Sequence, residues 1–240
     1  MPKVPKWMAN AMESLFSGSY HPVHISAVDY LAPALKMVRF EGDFSKLSKP
    51  LIPGNVIEFR ISDTEFRHYT PSYFNAGKGV CEVLFYLHGK GPGSHWVDRL
   101  KQGDQTKLLG PGGKIRFDEQ AGSHVCFGDE TSLGLLKCLS VEAGTRNTAC
   151  RCILELDPSH REWPSLVNLG ADTVNKSPHI PGEEAVNLIR ICAGDLSDTT
   201  FYLSGNAKSI QTLKKYLVEN GIPGKRIQTE PYWAEGKAGL

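Results

Sequence analysis

The chain has 240 residues, of which 40% are hydrophobic and 22% charged, and its formal net charge is +1. This composition is typical of a globular protein that buries a hydrophobic core, and the near-zero charge gives no reason to expect binding to nucleic acid. No stretch has the apolar run of a membrane span or of a signal-peptide core, so we expect a cytoplasmic protein that does not bind membranes.

In the first half of the chain, segments with alternating apolar and polar residues predict β-strands. Their close spacing, with Gly, Pro, Asn and Asp between them, favours a small antiparallel barrel. Helices are predicted at 94–100 and, packed on the barrel, at 6–16. The predicted strands are 24–30, 35–41, 56–62, 66–74, 80–87 and 106–109.

The second half alternates predicted strands (123–128, 152–156 and 200–203) with predicted helices (131–143, 183–193 and 207–219). Alternation of this kind favours a Rossmann-like parallel sheet with helices on both faces. A polar segment that ends in Gly122 indicates the domain boundary. We therefore expect a barrel domain at 1–119 and an α/β domain at 122–240.

One short stretch of the barrel half carries the first sign of function. Arg67 and Tyr69 alternate on one predicted strand and Thr70 follows, so the first two share a face of that strand. Some twenty residues later, the turn and helix start at 91–94 offer backbone N–H groups to a phosphate. Taken singly, a tyrosine in a strand is usually packing and an arginine usually a solvated charge; together the residues predict a site for a flavin dinucleotide.

These motifs, in this order, resemble the siderophore-interacting protein family, ferredoxin-reductase-like flavoproteins that reduce ferric siderophores. The resemblance rests on segments 67–70, 88–96, 110–113, 128–131, 202–205 and 232–233. It implies that Tyr69 lies against the isoalloxazine of FAD, that Thr70 hydrogen-bonds near the reactive N5, and that Arg67 pairs with the pyrophosphate. Tyr69 and Thr70 are thus the expected catalytic residues.

Other residues are expected to hold the cofactors. A neutral His88 could hydrogen-bond a phosphate or ribityl oxygen. Ser72 stands where the family often has a second arginine. The complete set of expected cofactor-binding residues is Arg67, Tyr69, Thr70, Ser72, Leu87, His88, Gly91, Gly93, Ser94, Trp96, Gly128, Asp129, Thr131 and Gly205.

The segment 128–134 follows the first strand of the second half and opens a helix, which is where a nucleotide phosphate or ribose binds in such folds. It is not Gly-x-Gly-x-x-Gly, and Asp129 and Glu130 would repel a pyrophosphate placed on them. The resemblance implies that it contacts the nicotinamide donor through Thr131. The later His160 and Arg161 favour NADPH, but the acidic residues beside them leave NADH open.

The six cysteines lie mostly in apolar stretches and show no Cys-x-x-Cys spacing. We expect them to be small core residues and expect no metal site. Cys150 and Cys152 are too closely spaced for an easy disulfide or for two ligands of one tetrahedral metal.

The predicted function is electron transfer from NADPH or NADH through FAD to a ferric siderophore or another ferric chelate, with release of Fe(II), by a monomer. Two alternatives remain open. One is a reductase of a small redox protein or of free flavin, and the other is a module that binds flavin or siderophore without turnover.

Overall fold

The computed structural model describes Pro5, Trp7 and residues 20–47, 49–192 and 196–237. The chain divides into two compact units, one within the residues up to Gly113 and the other from Lys114 to Lys237. Apart from Trp7, the helix expected at 6–16 lies outside the described residues. The expected domain limits, 1–119 and 122–240, remain predictions.

The first unit is built on antiparallel strands. Seven strands of the described residues form one sheet in the order β4-β3-β7-β1-β2-β6-β5, and every strand pair is antiparallel. One α-helix, α1, follows β6. The elements are β1 (Tyr20–Ala32), β2 (Leu35–Gly42), β3 (Val56–Ser62), β4 (Glu65–Tyr69), β5 (Pro71–Asn75), β6 (Val80–Tyr86), α1 (Pro92–Arg99) and β7 (Gln105–Gly112).

Thr70 stands at the corner where this sheet closes. β4 and β5 lie at opposite edges of the sheet, yet Thr70 alone separates them in the chain. The two edges must therefore meet at Thr70, which makes the sheet a barrel. The single strand expected at 66–74 is in fact two strands, because the chain changes its pairing partner at this corner.

The second unit is a parallel sheet with helices. Among the described residues, five strands pair in the order β10-β9-β8-β11-β12, and all the pairs are parallel. Barrel and Rossmann-like sheet together confirm the predicted fold class. The elements are β8 (Ser123–Gly128), α2 (Leu133–Thr145), β9 (Ala149–Leu156), α3 (Trp163–Leu166), β10 (Asp172–Asn175), α4 (Glu183–Cys192), β11 (Thr199–Asn206), α5 (Ala207–Glu219) and β12 (Ile227–Trp233).

Both faces of this parallel sheet are covered, as its near-continuous apolar strands require. On one face, Phe127 and Phe201 pack with Ile189 of α4 and Leu213 of α5 in a single buried cluster. The opposite face packs against α2, where Cys152 of β9 lies near the Leu136 carbonyl. In the part of the chain that the structure describes, no helix is long and apolar enough to cross a membrane.

The strand order gives this sheet one topological switch point. From β8 the chain proceeds to β9 and β10 on one side, and then returns to β11 and β12 on the other. In open α/β sheets, ligands bind in the crevice beyond the carboxyl ends of the strands at such a point. Gly128 and Gly205, near the ends of β8 and β11, therefore mark the crevice to inspect.

Candidate functional site

Tyr69 ends β4 beside the barrel corner. Its ring meets the edge of Phe85 at a centroid distance of 4.7 Å and lies 6.2 Å from the ring of Phe59. Burial raises the pKa of the Tyr69 hydroxyl well above its ordinary value, although the nearby Arg67 opposes this shift. Tyr69 is therefore a neutral phenol with a fixed ring, and Thr70 next to it is buried.

Helix α1 comes very close to this tyrosine at Gly93. A β-carbon added to Gly93 would lie 3.0 Å from the Tyr69 hydroxyl oxygen and 3.4 Å from Cγ of Arg67. Because glycine has no side chain, the first turn of α1 can rest directly against Arg67 and Tyr69. The N-terminal end of a helix carries unpaired N–H groups and partial positive charge, so an arginine and a helix start converge on one place.

Arg67 is held rather than freely solvated. Its Nη1 donates to the backbone oxygen of Phe66 at 2.7 Å, and its Nη2 lies 3.5 Å from a carboxylate oxygen of Glu65. Only 19% of the side chain is exposed. The guanidinium thus occupies a defined position beside Gly93.

The turn before α1 is fixed by its own hydrogen bonds. The backbone N–H of Gly89 donates to Ser94 Oγ at 3.1 Å, and that of Lys90 donates to His88 Nδ1 at 3.1 Å. Gly91, the N-cap residue, has a φ of 85°, a conformation that glycine adopts without strain. The backbone N–H of Leu87, at the start of the turn, donates to the Ala34 carbonyl at 2.8 Å.

His88 is neutral at ordinary pH. Partial desolvation, reinforced by Lys90 and His95, lowers the pKa of its ring. Since Nδ1 accepts a hydrogen bond from Lys90, the ring proton belongs on Nε2, which can then donate.

Two of the expected cofactor residues contribute to packing. The hydroxyl of Ser72, a buried residue, donates to the Glu82 carbonyl at 3.2 Å. The ring of Trp96 packs on Phe59, with their centroids 5.3 Å apart. The structure therefore brings Arg67, Tyr69 and Gly93 together, while Ser72 is turned toward a backbone carbonyl.

Sequence reasoning missed Lys36, which anchors the other end of α1. Lys36 is 1% exposed, and its ammonium donates to three carbonyls at the end of this helix: Val97 at 2.8 Å, Asp98 at 3.1 Å and Leu100 at 3.0 Å. A cation satisfies the unpaired carbonyls and complements the negative end of the helix dipole. The signal in the sequence is a lysine at a position that alternates with Val38 and Phe40, on the buried face of the strand.

The first unit also has an open hollow of 360 Å³ elsewhere on the barrel. Its lining contains none of the expected cofactor residues, so this hollow is distinct from the group of residues around Tyr69. It is lined by Pro22, Val23, His24, Glu41, Gly42, Gln105, Thr106 and Lys107.

In the second unit, Asp129 occupies the switch-point crevice. The buried carboxylate accepts hydrogen bonds from the Thr131 backbone N–H at 2.9 Å, the Thr131 hydroxyl at 2.5 Å and Trp233 Nε1 at 2.7 Å. Burial raises the pKa of Asp129, and the hydrogen bonds from Thr131 and Trp233 oppose that effect. These bonds tie the end of β8 to the end of β12.

Two glycines permit this close packing. Gly205 has a φ of 89°, and a β-carbon there would lie 2.5 Å from an Asp129 carboxylate oxygen. A β-carbon at Gly128 would overlap the side chain of Ser132. The crevice therefore requires glycine at both strand ends. The atoms that an added β-carbon would meet there belong to neighbouring side chains of the protein.

Glu130, buried beside Asp129, faces a different set of partners. Its carboxylate accepts from the Asp157 backbone N–H at 2.8 Å and from Lys176 at 2.7 Å, and lies 3.0 Å from His160 Nδ1. Burial acts to raise the pKa of Glu130, but these hydrogen bonds together outweigh it and leave the pKa lowered. The charge of Glu130 is thus compensated internally.

A cavity of 110 Å³ opens at this edge of the sheet and is lined by Asp129, Glu155, Lys176, Ser177, Pro181, Asn206 and Trp233. His160, expected to favour NADPH, is instead stacked on Trp163 at 4.0 Å and bound to Glu130. Arg161 is exposed and donates to Asn175 at 2.5 Å.

Comparison with known proteins agrees with the sequence motifs. Residues 59–115 match the siderophore-interacting FAD-binding domain family. This match includes every cofactor residue expected in the first unit, and it confirms the resemblance found in the sequence. This part of the chain is thus similar to an FAD-binding domain.

The curated relatives include the ferric vibriobactin reductase ViuB of Vibrio cholerae. The two sequences are 27% identical over 179 residues, which cover 71% of this chain and 65% of that protein. The chain therefore matches just under two-thirds of the length of this relative.

Solved structures with the same fold include two siderophore-interacting proteins and a ferredoxin reductase. The protein from Acinetobacter baumannii gives a TM-score of 0.73 at 16% identity, covering 91% of this chain and 92% of that one. SipS from Aeromonas hydrophila gives 0.69 at 17%, covering 92% and 94%. The ferredoxin reductase of carbazole 1,9a-dioxygenase gives 0.72 at 17%, covering 89% and 69%.

Proposed function

We infer that this chain, whose FAD-binding domain is of the siderophore-interacting family, is an FAD-dependent reductase of ferric chelates that takes its electrons from NADPH or NADH. The substrate would be a ferric siderophore or a similar chelate, and the product Fe(II). The protein would act as a monomer in the cytoplasm.

One observation carries this proposal: Gly93 lets the start of α1 rest against Arg67 and Tyr69. A pyrophosphate needs positive charge and N–H donors, and Arg67 with the first turn of α1 offers both. A flavin ring needs a flat apolar surface, which the Tyr69 ring offers beside Phe85. The residues present therefore fit FAD. Thr70, which follows Tyr69 at the barrel corner, would offer its hydroxyl to the flavin ring.

A bound flavin would supply the redox chemistry, because it can accept two electrons as hydride and release them singly, as Fe(III) requires. The residues of the chain would position the cofactor and hold His88 in its neutral, donating form. Arg67 and the turn at 91–94 would bind the phosphates, and neutral His88 would donate from Nε2. Leu87, Ser94 and Trp96 would maintain the turn and its packing.

The switch-point crevice of the second unit is the proposed nicotinamide site. Thr131 and Gly205 stand at the strand ends where such cofactors bind. Lys176 also lines the cavity there, but its ammonium is already paired with Glu130. Since His160 is engaged with Glu130, the exposed Arg161 is the remaining candidate for recognising the 2′-phosphate of NADPH.

A ferric chelate brings its own ligands, so its reduction requires no metal-binding residues of the protein. Release of the iron would follow from its reduction, because siderophores hold Fe(II) more weakly than Fe(III).

The proposed activity is tested by mixing the anaerobically reduced protein with ferric chelates and trapping Fe(II) with a colorimetric chelator. We expect flavin reoxidation to keep pace with the appearance of Fe(II), and Tyr69→Ala and Thr70→Ala to slow both. Reoxidation by a redox protein or free flavin, without a response to ferric chelates, would instead favour the alternative reductase. A flavin that NADPH and NADH leave oxidised would favour a binding module.

A further inference from the structure

Three cysteines meet on one face of the parallel sheet. Cys126 of β8 lies opposite Cys152 of β9 in the strand register, and His124 lies opposite Cys150. Residues two apart on a strand point to the same face, so all four side chains share the face covered by α2. In the sequence Cys150 and Cys152 stand as an isolated pair, and only the register of the neighbouring strand adds the third sulfur, that of Cys126.

The sulfur atoms are close enough to share one ion. The Sγ atoms of Cys126, Cys150 and Cys152 all lie within 4.8 Å of one another, and those of Cys126 and Cys150 are 3.8 Å apart. Three thiolates placed about 2.3 Å from a central metal are about 4 Å apart. The same separations are far longer than the roughly 2.05 Å of a disulfide bond.

The surroundings favour a site with three sulfur ligands. His124 is buried, with Nε2 3.2 Å from the Thr148 hydroxyl and Nδ1 3.3 Å from the Tyr202 hydroxyl. Both ring nitrogens are thus engaged by hydroxyl groups, which leaves the three sulfur atoms as the ligands. Cys150 is only half-buried, which gives an ion a route to the cluster.

We propose that Cys126, Cys150 and Cys152 bind one thiol-seeking metal cation, and that Cu⁺ is the ion that this set suits best. Zinc sites in proteins are almost always four-coordinate, whereas soft thiolate ligands select Cu⁺ without needing a fourth group. Three thiols would each lose a proton to the solvent as the ion binds. The ion would join β8 to β9 just before Gly128, and would stabilise the strand end that carries Asp129.

The test is an anaerobic titration of the reduced full-length flavoprotein with Cu⁺ held by a coloured chelator. We expect the protein to remove one equivalent of Cu⁺, and Cys150, the half-buried member of the cluster, to become resistant to alkylation. Mass spectrometry would locate this gain of protection at Cys150, with labelling unchanged at the equally half-buried Cys138. The alkylation assay uses the original sequence, so its result does not depend on whether a variant folds.

A matched pair of variants completes the experiment. Cys150→Ser should abolish stoichiometric binding, whereas Cys138→Ser on α2, equally half-buried but outside the cluster, should retain it. The proposal is overturned if Cu⁺ binds at less than one equivalent, if Cys150→Ser binds as well as the original protein, or if Zn²⁺ binds in place of Cu⁺.

Discussion

Gly93 in α1 and Tyr69 at the end of β4 are so close that a β-carbon on Gly93 would lie 3.0 Å from the Tyr69 hydroxyl. Alanine is a better helix former than glycine by about 1 kcal/mol, so helix propensity alone would favour Gly93→Ala. We predict that the protein keeps its stability but loses FAD affinity by about tenfold, equivalent to about 1.4 kcal/mol. Gly93→Val should lose more.

The control for this prediction is Gly144→Ala. Gly144 lies in α2, where an added β-carbon meets nothing within 4 Å. Fluorescence titration with FAD should show unchanged affinity in this control. Equal FAD affinity in Gly93→Ala, Gly93→Val and the original protein would remove the start of α1 from the flavin site.

Lys36 is predicted to position α1 from its far end. Lys36→Met leaves three helix-end carbonyls without their buried donor, which should destabilise the protein by about 1–3 kcal/mol. FAD affinity should fall as well, because the start of α1 would no longer be fixed. Urea unfolding and FAD titration measure the two effects. Lys78→Met, at an exposed turn lysine, should change neither.

Glu130 should make stability depend on pH in a defined direction. Its pKa is lowered in the folded protein, so its ionised form stabilises the fold above the ordinary glutamate pKa of about 4.3, and this contribution disappears as the pH falls through the folded value. Glu130→Gln should therefore cost about 1–3 kcal/mol at neutral pH and progressively less in acid.

The stabilities of Glu130→Gln and the original protein should therefore approach each other in acid. Urea midpoints measured from neutral pH down to about pH 3 would follow this change. Glu184→Gln, at an exposed position, is the control and should shift little. A stability difference that stays constant across the range would contradict the role of the Glu130 charge.

Trp233 is predicted to affect the nicotinamide and not the flavin. Trp233→Phe removes the N–H donor from buried Asp129 and leaves a carboxylate with less compensation in the crevice. We expect a several-fold higher KM for NADPH with FAD occupancy unchanged, measured by stopped-flow reduction. Tyr216→Phe, in α5 of the same unit, provides the control. An unaltered KM would show that the hydrogen bond between Trp233 and Asp129 has no part in donor binding.

Much of the fold was predictable from periodicity alone. The bounds of β3, β8 and α5 were predicted correctly, because each has strong patterning and clear flanking turns. The helix α3 and the strands β10 and β12 were missed. β10 has three exposed polar residues beside the half-buried Val174, and β12 contains Pro231, so neither carries a strong local strand signal.

The site was predictable only in part, for a physical reason. Arg67 and Tyr69 alternate on one strand and can be grouped from the sequence. The bonds from Lys36 to α1 and from Asp129 to Trp233 join residues 61 to 104 positions apart, and only the fold brings them together. The cysteine cluster likewise requires the register of two parallel strands.

The most direct test of the account is the absorbance spectrum of the purified protein with FAD, recorded anaerobically before and after addition of NADPH or NADH. We predict a flavin spectrum that bleaches with one of these donors and returns when a ferric chelate is added. A protein that stays colourless after incubation with FAD would contradict the central claim.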